Sequence, residues 1–436
     1  MRKRAPLQNP IHTICCLSMP AITIKDVQPN EVFGRRRLGY TLVALFLVLW
    51  LVFTVAYVIV YLPQTFWFAY FSVDYRLGFV RRGLAGEILD LFPADLYFTG
   101  LLTLRWLVSA LFIIGLTAVA WTAAVRFGRS ERRLMLVLLI PVLPFGFGTA
   151  IHAPQPDLLA GSALAMFAAA LATVKGSRPI LFASACYGFA TALLTLIHEA
   201  IPFLYSLGAI VAIVVLGMNS PIKIQRLSAL LAVAPGLVVA LAIGLLGRQG
   251  ISSQLCTLVP HRAVYWPYWG GAGNRSSAQL PVGYVDYHDF VCRYVLPRFD
   301  ETPADAARTV AGVGAAALIM SMLLGIVVFT VTVLAINRIS GVPFGRFCNV
   351  LRGRLVWVTF TAVLFLPLFA TTIDWSRWWV RISLDVGMVY LLYASAQPEA
   401  AQAPTRRTRV IFVVALLLFA CYPIGSIQSL GIPRPA

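Results

Sequence analysis

Apolar residues in this chain gather in long unbroken runs. Residues 40–63, YTLVALFLVLWLVFTVAYVIVYLP, contain no charged side chain, and comparable runs recur near 99–125, 134–150, 157–174, 179–197, 200–218, 227–247, 309–336, 355–373, 382–395 and 410–427. A helix rises 1.5 Å per residue, so ~20 apolar residues cross the hydrocarbon core of a bilayer. The runs therefore predict an all-α integral membrane protein with about eleven transmembrane helices. Pro141, Pro144, Pro154 and Pro156 interrupt 134–174, which also allows one broken span and a re-entrant piece there.

Polar positions between the runs orient them. The tail before residue 39 and the second, fourth, sixth, eighth and tenth connections hold 22 of the 35 basic residues, including every lysine. By the positive-inside rule these segments face the cytoplasm. The expected organisation is a cytoplasmic tail (1–38), a polytopic membrane domain (39–430) and an outward C-terminal tail (431–436). Outward loops are expected at 64–98 and 248–308. The N-terminal IHTICCLSMPAITI is too short and polar to span, and no cleavable signal peptide is evident.

Composition agrees: 59% of the 436 residues are hydrophobic and 12% charged, with mean hydropathy +0.82, far from a soluble domain. The +18 net charge suits cytoplasmic loops held to anionic lipid better than nucleic acid. No internal repeat is evident, which counts against transporters built from repeated halves. Of seven cysteines only Cys256 and Cys292 fall in an outward loop, where a disulfide between them is one reading and two unrelated thiols the other.

The outward stretch FSVDYRLGFVRRGL (71–84) breaks the charge rule. Leu77, Val80, Leu84, Ile88 and Leu91 recur at spacings of three and four, which predicts an interfacial helix in the first outward loop, with its apolar face in lipid and Asp74 as its N-cap. Arg76, Arg81 and Arg82 are either snorkelling anchors or an anion site, because guanidinium forks match phosphate. Asp74 beside them is a candidate general base.

Other outward positions carry further candidates. His198 and Glu199 stand where the fifth run turns into the sixth, and ionisable pairs at membrane depth are functional by default. GTAIHAPQPD places His152 and Asp157 at the mouth of the fourth run, with Asp157 equally a helix cap. DWSRWWVR supplies Asp374 and Arg377, tryptophans suited to an interfacial belt, and an i,i+4 pairing of Arg381 with Asp385. Tyr265, Trp266, Tyr268 and Trp269 in the long loop would stack on sugars or dip among headgroups. Neither HExxH nor a CxxC cluster is present, so no structural zinc is expected.

An acidic residue in the first outward loop after span one, followed by an interfacial helix, resembles the GT-C superfamily of membrane glycosyltransferases. The resemblance covers roughly the first 250 residues. It implies a polyprenyl-phosphate-linked sugar as donor and a glycan, lipid or protein hydroxyl as acceptor. It also implies Asp74 as the loop-one acid, here the base, and Arg81 and Arg82 on the lipid phosphate; the reading of the residues themselves adds Arg76, His152, Asp157, His198, Glu199, Asp374 and Arg377 on substrate. Two departures are plain: a single loop-one Asp where many members have two adjacent acids, which leaves a divalent metal cofactor open, and no large soluble C-terminal domain. The chain also resembles O-antigen-type polymerases, which join glycans on lipid pyrophosphate, through Arg262, Arg275 and Arg377. A transporter or flippase is the reading from another class. A bacterial inner membrane is the expected location.

Overall fold

The computed structural model describes residues 32–61, 65–265 and 284–421. Most of the basic tail, Trp266, Tyr268, Trp269, Arg275 and residues 422–436 lie outside them. The chain forms two units, Met1–Leu45 and Phe46–Ala436. Only the first turns of helix α1 (Val32–Tyr61) are described in the first unit, and every later element belongs to the second.

After α1 the loop-one segment carries a short helix α2 (Gly83–Leu89), and then come α3 (Tyr97–Trp121), α4 (Glu131–Leu139), α5 (Phe147–His152), α6 (Asp157–Thr173), α7 (Ser177–Thr195), α8 (Ile201–Leu216) and α9 (Ile222–Leu246). The second half holds a two-stranded hairpin of β1 (Ala263–Tyr265) and β2 (Tyr284–Asp286), paired antiparallel with Val264 opposite Val285. It continues with α10 (Pro303–Gly312), α11 (Ala315–Ser340), α12 (Phe344–Arg352), α13 (Leu355–Val363), α14 (Leu366–Thr371), α15 (Trp375–Ile382), α16 (Val389–Ala396) and α17 (Arg406–Cys421). Helix occupies each of the eleven apolar runs.

Among the described residues, five helical stretches are long and apolar enough to cross a membrane: Leu38–Val60, Ala94–Arg126, Glu131–His152, Ile222–Leu246 and Ala315–Ser340. A sixth counts if α12 and the Leu355–Thr371 stretch, bent by 101°, form one broken span. Proline and glycine account for the other departures from the simple pattern. Pro141 and Pro144 loosen the third run into a 3-10 turn between α4 and α5. Gly314, at φ +92°, ends the amphipathic α10 and lets α11 begin, so the run expected at 309–336 starts as a span only at Ala315. Helix α10 opens on a capping box between Thr302 and Asp305.

Helix α8 is apolar on nearly every side and almost wholly buried, which places it at the centre of the bundle. Helices α6, α7, α9 and α15 pack around it, and α3 backs α6. Arg381 is paired inside this core. Its Nε lies 2.9 Å from Asp157 Oδ2, and both side chains are essentially inaccessible. The Arg381–Asp385 pairing expected from i,i+4 spacing is absent among the described contacts, because Asp157 on α6 takes the guanidinium and Asp385 falls in a π-helical turn, Ser383–Met388. Of the tryptophans of the DWSRWWVR turn, Trp378 is buried and Trp375 and Trp379 are half-buried. Trp378 donates to Thr372 Oγ1, and Trp375 donates to the Phe369 carbonyl, 2.8 Å away.

Candidate functional site

Loop one folds tightly against α2 and does not run on as a lipid-facing helix. The Gly86 amide donates to the Val73 carbonyl (2.9 Å) and the Tyr75 amide to Glu87 Oε1 (2.8 Å). These bonds bring residues 73–75 against the first turn of α2. A Cβ on Gly83 would enter the Tyr75 ring, and one on Gly86 would strike the Val73 carbonyl. The two glycines therefore decide where the helix begins, and α2 is seven residues long. Val80 is buried in protein, so the stripe expected to face lipid is not one helical face. Asp74 is not the cap. Its carboxylate accepts from Arg76 Nε (2.8 Å), Arg76 NH2 (2.5 Å) and the Arg76 amide (2.9 Å).

Arg82 occupies the N-cap position of α2 with φ +65°, the one non-glycine residue with positive φ among those described. Left-handed backbone costs an ordinary residue about 1 kcal/mol or more. Here it aims the side chain at Glu199, with Nε 2.9 Å from Oε2 and NH2 2.8 Å from Oε1. This two-point fork is well matched to a carboxylate. Burial works against charge on Glu199, but Arg82 outweighs it and holds the carboxyl below the usual range. His198, buried beside the pair, is pushed down to about 4 by desolvation and by the Arg82 charge, and is therefore neutral at physiological pH. Its Nδ1 accepts from the Ala200 amide at 3.4 Å, which leaves the proton on Nε2.

These groups line a cavity of about 650 Å³. Five arginines, Arg81, Arg82, Arg248, Arg298 and Arg377, share its wall with two glutamates, Glu199 and Glu301. Arg81 donates to the Arg298 carbonyl, and its guanidinium sits 4.7 Å over the Phe299 ring. Its buried Nε has no hydrogen-bond partner among the described residues, and neither does that of Arg377. Arg377 pairs with Asp374 at 3.1 Å, and Arg298 with Glu301 at 2.9 Å. Apolar lining comes from Ala240, Ile243 and Gly244 of α9 with Leu368 of α14.

Of the residues that the sequence marks as candidates, Arg81, Arg82, His198, Glu199 and Arg377 meet in this cavity. Asp74, Arg76 and Asp374 do not line it, and Asp157 belongs to the buried pair with Arg381. His152 ends α5, near Arg105 of α3, and its ring lies 6.3 Å from that of Tyr57. Arg105 itself is fully buried and donates to the Ile151 carbonyl at 2.9 Å. Arg248 and Arg298 join the site without having been candidates. Their signal is present in the chain: both are basic residues close to apolar segments in the loop 248–308, which the charge pattern assigns to the outward side, the same breach of the charge rule that marks Arg81 and Arg82. Cys256 and Cys292 form a disulfide.

The sequence matches, over residues 40–420, the family described as "Uncharacterised membrane protein Rv1490". The chain belongs to this family. Two mycobacterial relatives, "Uncharacterized protein Rv1490" of Mycobacterium tuberculosis and "Uncharacterized protein Mb1527" of Mycobacterium bovis, are each 40% identical over 414 residues, covering 93% of this chain and 94% of the relative. No solved structure matches. The family description and the apolar helices together make this a membrane protein. The match includes loop one, the His198-Glu199 turn and the Asp374–Arg377 turn, so the whole cavity wall lies within the family region.

Proposed function

We propose that this protein is a membrane glycosyltransferase of GT-C type that moves a sugar from a polyprenyl-phosphate donor to a hydroxyl acceptor on the outer face of a bacterial inner membrane. In this reading eleven spans cross the bilayer with the tail inside, and the arginine-lined cavity opens outward. One observation carries it: a single cavity joins five arginines to apolar lining from α9 and α14, which suits an amphipathic anion with a phosphate at one end and an isoprenoid at the other.

The chemistry follows from the charges. Arg82 is satisfied by Glu199, Arg298 by Glu301 and Arg377 by Asp374, so Arg81 and Arg248 supply the positive charge left to an incoming phosphate, and Arg377 adds the free donor on its Nε. As the glycosidic bond to that phosphate breaks, negative charge grows on the leaving oxygen, and fixed guanidinium donors in a partly dry site stabilise it. Neutral His198, with its proton on Nε2, offers one more donor to phosphate or sugar. Asp74 is better suited to fixing Arg76 and the loop than to acting as base, since its oxygens are occupied and it stands outside the cavity. Both cavity carboxylates are likewise engaged by arginines, so stabilisation of the leaving phosphate is the main catalytic contribution, and the departing phosphate takes up the acceptor hydroxyl's proton as the new glycosidic bond forms.

The test uses membranes containing the full chain, supplied with radiolabelled polyprenyl-phosphate sugars and a cell-envelope acceptor fraction. Transfer of label from the isoprenoid, reduced at least ~100-fold in the Arg81→Gln, Arg377→Gln double variant as loss of charge-stabilising donors commonly does, supports the proposal. Equal transfer by that variant contradicts it. Transfer only from a pyrophosphate-linked oligosaccharide would point to a polymerase instead.

A further inference from the structure

The disulfide lies beside a histidine that it leaves unsatisfied. His288 Nε2 stands 3.6 Å from Cys256 Sγ and 3.5 Å from Cys292 Sγ. Its other ring nitrogen, Nδ1, lies 3.2 Å from Asp289 Oδ1, and a carboxylate acceptor there places the proton on Nδ1. The lone pair of Nε2 therefore points at two sulfurs which, while bonded to each other, have no proton to give. The ring is held in place. His261 stacks on it with centroids 3.8 Å apart, His261 Nδ1 lies 2.8 Å from Asp286 Oδ2, and Asp286 Oδ1 caps the His288 amide at 3.0 Å. A carboxylate behind a histidine whose free nitrogen faces two sulfurs is the outer-shell pattern of a metal-ligating imidazole.

We propose that Cys256, Cys292 and His288 form a zinc site once the disulfide is reduced. Two sulfurs and one imidazole are a donor set for zinc, with the fourth position open to water. The dimensions agree. Zinc–sulfur and zinc–nitrogen bonds of ~2.3 and ~2.05 Å at tetrahedral angles place sulfur and nitrogen about 3.6 Å apart, which is the spacing His288 already keeps. Only the sulfurs must separate, to about 3.8 Å. A dithiol reductant delivers two electrons and two protons, becomes a disulfide itself, and leaves two thiols. Zinc binding then releases both thiol protons and forms two Zn–S bonds and one Zn–N bond.

Either state clamps the same elements. Cys256 ends a short helix, Ser252–Cys256, and Cys292 lies two residues before Tyr294, which lines the cavity with Val295, Arg298 and Phe299. The clamp thus fixes the segment carrying Arg298 whether a covalent bond or a metal closes it. This proposal does not depend on the glycosyltransferase reading.

The test uses the full chain in detergent micelles, reduced with a phosphine (which, unlike dithiols, binds zinc weakly), loaded with zinc and desalted. One zinc per chain in the reduced protein and less than about one-tenth of that in the oxidised protein is the expected result, since the ligand must be thiolate. His288→Ala should lose at least ~10-fold in zinc retention, whereas Cys348→Ser, a change at a free cysteine, should leave it unaltered. Cobalt(II) in place of zinc should give a sulfur-to-metal charge-transfer band in wild type and not in Cys292→Ser, a readout on the folded protein that needs no activity. Reduced wild type that retains no zinc, or His288→Ala that retains as much as wild type, would overturn the proposal.

Discussion

Among single residues, the Arg82–Glu199 pair and His198 set the electrostatics of the cavity. Glu199→Gln leaves Arg82 charged without its carboxylate, and breaking such a part-buried, two-point pair costs about 1–3 kcal/mol. Thermal unfolding in detergent should show a clear drop in midpoint, larger than for Glu301→Gln at the rim. The pH dependence has a definite sign. His198 titrates at 6.5 when exposed and at about 4 in the fold, so the unfolded chain takes up its proton first. The corresponding stability is full above pH 6.5 and is lost as pH falls toward 4, about 3 kcal/mol in all. Glu199, held below the usual carboxylate range, keeps its full contribution down to its ordinary value of 4.5 and loses it as pH falls further. His198→Gln should flatten the decline between pH 6.5 and 4; an unchanged slope would move its origin elsewhere.

Among the elements, loop one and α2 are built around close backbone approach. Gly86→Ala drives a methyl against the Val73 carbonyl, and relieving it requires backbone movement worth about 2 kcal/mol or more. The expected outcome is a lower melting temperature together with weaker phosphate-lipid binding, since the shift carries Arg81 and Arg82 with it. In the core, Asp157→Asn strips the Arg381 guanidinium of its countercharge and should cost about 3–5 kcal/mol, seen as reduced yield of folded protein from membranes. Legibility in the chain differs by element. The helices are visible because runs of Leu, Val, Ile and Phe leave few alternatives in a bilayer. The loop-one helix is shorter than its three- and four-residue spacing suggests. That spacing is real in the sequence, but Gly83, Gly86 and the Tyr75–Glu87 bond stop the helix from starting before residue 83. The i,i+4 rule gives Arg381 the wrong partner, because a neighbour on another helix, Asp157, is invisible to spacing.

Across the whole molecule, distant segments of an apolar bundle converge on one arginine-lined cavity. Loop one, the α7–α8 turn, the segment around Arg298 and the start of α15 are far apart in the chain, and local pattern does not encode their meeting. The breach of the positive-inside rule is the sequence signal that marks them, and it also applies to Arg248 and Arg298. Topology follows from the same charges: a reporter fused near residue 90 should read outward, and a cytoplasmic reading would place the arginines on the wrong face for lipid-linked sugars. The decisive experiment on the cavity is mass spectrometry of lipids that co-purify with the wild-type chain and with the Arg81→Gln, Arg377→Gln double variant. A polyprenyl monophosphate or its sugar adduct should accompany wild type and fall at least ~10-fold in a variant that still folds, as expected when charge-assisted phosphate contacts are lost. Equal retention of isoprenoid phosphate by both proteins, or none by either, would contradict an anion site for lipid-linked sugars.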